Sequence, residues 1–408
     1  MFKTRVDASA VHGWVAPGFE EVETEFRQNF GRGEVGAACA VYHTGKIVAD
    51  LWGGYRDPKT RAPWEKDTLV LVFSVTKGMA AMAVAVAHSR GLLDYDEQVA
   101  TYWPEFAQNG KEKVTVRQLL SHQAGLSAVD EPLDLQTMAD LDALAAILAR
   151  QKPAWVPGTR HGYHMWSIGW LMSELVRRVD PQRRSLGRFF QDEVARPLDL
   201  EFYIGLPADV PDSRIANVIP MGPFRGLLTL CQHPYLRDVL NPLKSKSITF
   251  RTVWNPKSLT NHRNMNRRDF RSVEIPSENG IGQVRSMAKA YSVLATGGKE
   301  LNLKEETIEA LTVPASPPPW GLRDEVMQTN AFFSLGFERP FHGQYHGLDI
   351  SDQAFGFAGA SGALAFADPD ARVGYAYGRS KIDIYGPGDP REKAVRTALY
   401  RCLKRHSL

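Results

Sequence analysis

Apolar residues recur at spacings of three and four across residues 18–30, where Phe19, Val22, Phe26 and Phe30 would share one face, and this spacing predicts an amphipathic helix. Two strand candidates follow. Residues 35–42 are rich in small and apolar side chains, and residues 46–52 come after the turn-like His43-Thr-Gly-Lys, so the pair reads as an antiparallel hairpin that Gly53-Gly54 breaks. In the middle of the chain the pattern turns helical, at 74–90, 116–122, 141–149, 167–178 and 188–194, and strand signals become sparse. Pro153, Pro157 and Gly158 punctuate this region, and the polar, basic stretch of about 20 residues after Leu240 predicts a long loop or lid. Beyond Gly280 a helix over 284–294 should stop at Thr296-Gly-Gly in a glycine cap. Strand-like runs at 362–367 and 373–377 then flank the turn Asp368-Pro-Asp-Ala-Arg, and a basic helix over 391–404 closes the chain.

Strands at both ends with helices between them predict an α+β fold of the α/β-sandwich kind. An antiparallel sheet flanked by helices would be built from both termini (1–72 and 278–408), with a mostly α-helical domain (73–277) inserted and an active site in the cleft between them. The 408 residues suit such a division and exclude disorder, collagen and coiled coil, since 43% are hydrophobic and 23% charged. With 49 Lys+Arg against 46 Asp+Glu, the net charge of +3 gives no field to steer the chain onto nucleic acid or a membrane, so neither is expected as a partner. One local excess, from Lys244 to Arg271, sets eight basic residues against Asp269 alone and is expected to be a solvated, mobile excursion. Cys39, Cys231 and Cys402 are too few and too scattered for a disulfide framework or a zinc site. Reduced thiols, no apolar core in the opening residues to act as an export signal, and an apolar run at 79–87 about half the length of a membrane span together predict a cytoplasmic protein.

Several catalytic signatures are missing: H-E-x-x-H, Walker A, G-x-G-x-x-G after a strand, and G-x-S-x-G, whose nearest approach, Gly359-Ala-Ser-Gly-Ala, fails at its last position. What remains is Ser74-Val-Thr-Lys77, a serine and a lysine three apart on a helix and therefore on one face. That places a nucleophile at the positive end of a helix beside a base whose pKa burial would depress. Such a match is expected about once by chance in a chain of this length, and Ser286-Met-Ala-Lys289 repeats it. Context separates the two. Ser286 and Lys289 fit the surface face of an amphipathic helix, whereas Ser74 follows Leu69-Val-Leu-Val-Phe73 and opens a helix that is apolar nearly all round, hence buried. A lysine on a buried helix needs a reason, and catalysis supplies one.

Phe73-Ser-Val-Thr-Lys-Gly78, Val116-Arg-Gln-Leu-Leu-Ser-His-Gln-Ala-Gly-Leu126, Pro157-Gly-Thr-Arg-His-Gly-Tyr163, Pro276-Ser-Glu-Asn-Gly280 and Phe355-Gly-Phe-Ala-Gly-Ala-Ser-Gly-Ala-Leu-Ala-Phe-Ala-Asp-Pro369 run in this order along nearly the whole chain. In this the sequence resembles the serine β-lactamase and penicillin-binding-protein superfamily, and within it the family VIII carboxylesterases, which are similar to class C β-lactamases. The resemblance implies Ser74 as nucleophile, Lys77 as its base or proton relay, and Tyr163 as a second base whose phenolate Lys77 would stabilise. It also implies an oxyanion hole from the backbone N–H groups of Ser74 and Ala360. No metal and no cofactor are implied.

Two departures shape the expected substrate. Tyr163-His164-Met165 lacks the asparagine found two residues after the tyrosine in β-lactamases, and Phe357-Ala358-Gly359 stands where their Lys-Thr-Gly offers a cation to a carboxylate. Phe357 and Gly359 would instead wall a site for a neutral, short-chain carboxylic ester with an apolar acyl or alcohol part, with acyl transfer to another alcohol as a close relative and β-lactam hydrolysis as a weak side activity. The rival readings are a β-lactamase or D-amino-acid peptidase and, in another class, a binding or scaffold protein on the same fold. His122 reads as structural and His164 as locally hydrogen-bonded, while Trp155, Trp166, Trp170, Tyr203 and Trp320 read mostly as core.

Overall fold

The computed structural model describes residues 10–222, 235–339 and 350–406; Cys231 and the opening residues of the chain lie outside them. One antiparallel sheet takes strands from both ends of the chain. In spatial order these are Val11–Val15, Lys46–Asp57, Gly36–His43, Val373–Arg379, Leu364–Asp368, Phe355–Ala358, Phe337–Glu338 and Phe333–Ser334, with Ala62–Pro63 paired to Lys46–Asp57 outside this path. The join between the two ends is the register Tyr375↔Val41, Ala376↔Ala40 and Tyr377↔Cys39. The helices Glu20–Gly31 and Pro390–His406 pack together over one face, where Phe26, Cys39, Val41, Tyr377 and Leu399 share a core. Helix Val284–Ala295 covers the other face, against Ala38, Ala40 and Ala376. With both faces covered, alternate residues of Gly36–His43 are buried on opposite sides, which is why that strand reads as continuously small and apolar. Gly374 lets the second helix approach: a Cβ there would lie 2.3 Å from Ser292 N and 2.4 Å from Ala288 O.

The helical part is built around Val75–Ser89, which contacts Ser167–Val179, Leu186–Phe190 and the strand Phe355–Ala358. A second small sheet, Val70–Leu71 with Ile281–Gly282 and Phe202–Tyr203, ties the chain entering that helix to the chain leaving the helical region. No helix among the described residues is long and apolar enough to cross a membrane, and Cys39 and Cys402 are free and buried.

Three sequence expectations are corrected. Gly53-Gly54 does not end its strand, which runs on to Asp57; both glycines pair with neighbouring strands, and Gly54 sits at φ +78° where a Cβ would lie 2.1 Å from Val35 O. The stretch after Leu240 is not an open excursion but a series of short helices, Ile248–Trp254, Lys257–Thr260 and Arg268–Ser272. The Ser247 side chain caps the first, Thr249, Leu259, Met265 and Phe270 are buried, and three of the eight basic residues meet acids from distant segments, Arg251 with Asp130, and Arg268 and Arg271 with Asp212, while Lys244, Lys246, Lys257, Arg263 and Arg267 are exposed as expected. Ser286, expected at the surface, is buried, and its Oγ accepts the Glu201 N–H at 3.0 Å.

Candidate active site

Phe73 holds a left-handed φ of +51° and turns the chain sharply from the small sheet into helix Val75–Ser89. Ser74 stands at the N-cap, yet its side chain makes no capping bond. Its Oγ instead accepts hydrogen bonds from Lys77 Nζ at 3.0 Å and from the Tyr163 hydroxyl at 2.8 Å. The structure thus brings together three residues of which two are 89 positions apart. Thr76 Oγ1 braces the turn by donating to Phe73 O at 2.6 Å and accepting the Gly280 N–H at 2.8 Å, and Gly280 O in turn accepts the Val72 N–H at 3.0 Å.

Lys77 is fully buried, and burial pulls its ammonium down to about 7. Its Nζ donates to Ser277 O at 2.8 Å and lies 4.8 Å from the centre of the Tyr163 ring. A neutral amine in this position can donate to Ser277 O and still receive the Ser74 proton on its lone pair. Two carboxyls that sequence reading missed act on it: Glu278 and Glu338 both oppose the lowering, and burial pushes each of them up to about 7. Glu278 directly follows Ser277, and Glu338 accepts the Ala358 N–H at 3.3 Å.

Tyr163 is buried against Phe333, with ring centroids 5.6 Å apart at 15°, and near Phe357, 6.2 Å away. Burial pushes its phenol well above the ordinary range, opposite to the phenolate expected from the charge of Lys77, so the resting side chain carries its proton. Both histidines in question clamp the backbone around it. His122 accepts the Gly162 N–H on its carbonyl at 3.1 Å and the His164 N–H on Nδ1 at 3.0 Å. His164 Nε2 accepts the Leu126 N–H at 3.0 Å, which fixes the proton on Nδ1, 2.7 Å from Gly162 O. Burial holds both imidazoles neutral, His122 well below the usual range and His164 down to about 4.

Phe357 is buried on the strand Phe355–Ala358, and Gly359 beyond it abuts the chain leading into the Ser74 turn, since a Cβ there would lie 2.4 Å from Val72 O. Among the described residues, no acceptor takes the backbone N–H of Ser74 or of Ala360. These are the donors expected to bind an oxyanion. The basic segment reaches the site as well: the His262 ring packs edge-on to Phe73 at 5.6 Å, and Ile248 packs on the Tyr163, Phe333 and Phe357 cluster. Among the five aromatics expected mostly in the core, Trp166 and Trp170 are buried and Trp155 and Tyr203 partly so, but Trp320 is 68% exposed. No group of three or more His, Cys, Asp or Glu side chains converges as a metal site would, among the described residues.

The Beta-lactamase family model matches residues 19–378. The esterase/beta-lactamase LipL of Mycobacterium tuberculosis is 32% identical over 382 residues, covering 91% of this chain and 83% of that protein. Among solved structures, a family VIII carboxylesterase superimposes with a TM-score of 0.83 at 36% identity, covering 96% of this chain and 99% of that one. A penicillin-binding protein homologue from Caulobacter crescentus does so at 0.80 and 34%, with the same coverage. A match across most of the chain, with a serine, a lysine and a tyrosine gathered at one buried helix end, makes this chain a serine hydrolase that belongs to the Beta-lactamase family.

Proposed function

We propose that the protein hydrolyses short-chain, uncharged carboxylic esters through an acyl-enzyme on Ser74. The observation that carries this reading is the continuous hydrogen-bonded array from Tyr163 through Ser74 Oγ to Lys77 Nζ. Neutral Lys77 takes the Ser74 proton as Oγ bonds to the acyl carbon, and the backbone N–H groups of Ser74 and Ala360 receive the developing oxyanion. As the ester C–O bond breaks, Tyr163 gives its proton to the departing alcohol oxygen and recovers one from the Lys77 ammonium. Water, or a second alcohol in an acyl transfer, then enters along the reverse path and frees Ser74.

A neutral ester is favoured over a carboxylated β-lactam because Phe357 offers an aromatic wall, and Met165 no amide, to the substrate. The carboxylesterase name of one similar structure supports the same choice, and the esterase/beta-lactamase name of LipL is compatible with either substrate. The buried free thiols of Cys39 and Cys402 fit a cytoplasmic setting. The test is a burst assay with p-nitrophenyl butyrate on wild type and Ser74→Ala, followed by intact mass of the quenched protein. A burst and a butyryl adduct, both lost with Ser74, are expected. Turnover that survives Ser74→Ala would mean that another residue is the nucleophile, and an inert wild type would favour a binding role.

A further inference from the structure

Beside Gly162, the residue before Tyr163, lies a cavity of about 410 Å³ that the reaction as described does not use; Trp155, Val156, Arg160, Ile248, Trp320 and Glu325 are among its walls. This is within the size range of small-molecule sites. Two of its wall residues touch the surroundings of Tyr163. The Trp155 ring presses on Gly162, where a Cβ would lie 2.6 Å from it, and Ile248 lines the cavity while packing on the cluster that contains Tyr163 and Phe357.

The walls have a consistent chemistry. Of the six large hydrophobic side chains exposed among the described residues, Val156 (71%) and Trp320 (68%) both line this one cavity, a concentration that folding alone does not call for. Trp320 is also held in place. The Arg160 guanidinium lies 3.7 Å from its ring centre, the backbone N–H of Trp320 donates to Thr159 O at 3.3 Å, and Arg160 is fixed by Glu325 at 3.1 Å. Because Arg160 and Glu325 neutralise each other, the site offers apolar, flat surface without an unmatched charge for a carboxylate.

We propose that this cavity is the subsite for the alcohol half of the ester and takes a flat, uncharged ring system, an aryl or fused-ring alcohol. The assignment rests on the ester-hydrolase reading above, in which Tyr163 protonates the departing oxygen, so the group attached to that oxygen leaves past Tyr163, whose surroundings the wall residues Trp155 and Ile248 touch. The acyl half stays bonded to Ser74 after that departure.

Two acetate esters separate the halves, 2-naphthyl acetate and ethyl acetate, because both give the same acetyl-enzyme. In Trp320→Ala, kcat/KM for 2-naphthyl acetate should fall about tenfold relative to that for ethyl acetate, the size expected from losing one aromatic wall of a pocket. The decay rate of the acetyl-enzyme should not change, and Trp320→Phe, which keeps a flat ring, should restore most of the selectivity. Trp320 is exposed, so the fold tolerates the change. Equal effects on both esters would overturn the subsite, and so would an effect confined to acetyl-enzyme decay. Failure of the wild type to form any acetyl-enzyme would instead overturn the reading of Ser74, and the subsite with it.

Discussion

Replacing Tyr163 by Phe removes one oxygen and almost nothing else, which makes it the sharpest test of the proton path. The ring keeps its stack on Phe333 at 5.6 Å and its neighbour Phe357, so the fold should hold. The loss is the hydroxyl 2.8 Å from Ser74 Oγ. Since burial keeps that phenol protonated at rest, it can deliver a proton to a leaving oxygen only when Lys77 supplies another, and its contribution belongs to the transition state. A positioned proton donor contributes about 10² to 10⁴ in rate, or about 3 to 5 kcal/mol at about 1.4 kcal/mol per factor of ten. That contribution should depend on the alcohol. An alkoxide cannot leave without a proton, whereas p-nitrophenolate is stable as an anion. Single-turnover acylation of Tyr163→Phe should therefore fall about 10³-fold with methyl butyrate but within about tenfold with p-nitrophenyl butyrate. Equal losses with the two esters would refute Tyr163 as the donor to the leaving oxygen.

Lys77 must be neutral to act, so kcat/KM for p-nitrophenyl butyrate should rise with pH through a limb near its value of about 7. The charge of Glu278 favours the lysine cation, so Glu278→Gln should lower the Lys77 pKa and move that limb to lower pH; an unmoved limb in a pH–rate profile would remove Glu278 from the base's environment. Ser286→Ala should leave esterase kinetics intact while costing about 1 kcal/mol in urea unfolding, because the Glu201 N–H loses its buried acceptor; loss of turnover would mean that the second serine–lysine pair had been wrongly dismissed. Behind the sheet, Asp389 is paired with Arg379 and, at 2.6 Å, with Arg391, all three buried. Asp389→Asn should destabilise by about 3 to 5 kcal/mol, since it leaves two guanidiniums with one buried partner fewer, and urea unfolding within about 1 kcal/mol of wild type would contradict that.

What could be read from the sequence was what neighbours in the chain decide. The three-and-four spacing of Phe19, Val22, Phe26 and Phe30 sufficed for the helix Glu20–Gly31, and about three apolar turns after Lys77 sufficed to say that Lys77 is buried. The misreadings share a cause in partners that are remote along the chain. Gly53-Gly54 looks like a breaker until strands from both sides claim it, and the basic run looks like a loop until Asp130 and Asp212 arrive from other segments to pair Arg251, Arg268 and Arg271. Ser286 shows the same limit, since an amphipathic pattern cannot say that a loop at Glu201 will need its hydroxyl. Tyr163 came into view only through a resemblance of ordered motifs, and the action of Glu278 and Glu338 on Lys77 not at all, because a carboxylate has no local signature for the lysine it will meet.

The Ser74–Lys77 pair is the exception because one property serves both the fold and the proposed chemistry. The apolar run Gly78-Met-Ala-Ala-Met-Ala-Val-Ala-Val-Ala makes the helix pack on every side, which is the signal of burial in the sequence. The same packing withholds water from Lys77 and draws its ammonium down to about 7, so that the amine can accept a proton near neutral pH. Glu278 and Glu338 pull the other way, toward the cation. The base therefore works in a balance between desolvation, written locally in the helix, and two carboxyls, delivered by the fold. A substitution that admits water along this helix should raise the Lys77 pKa without touching any of the three reacting side chains.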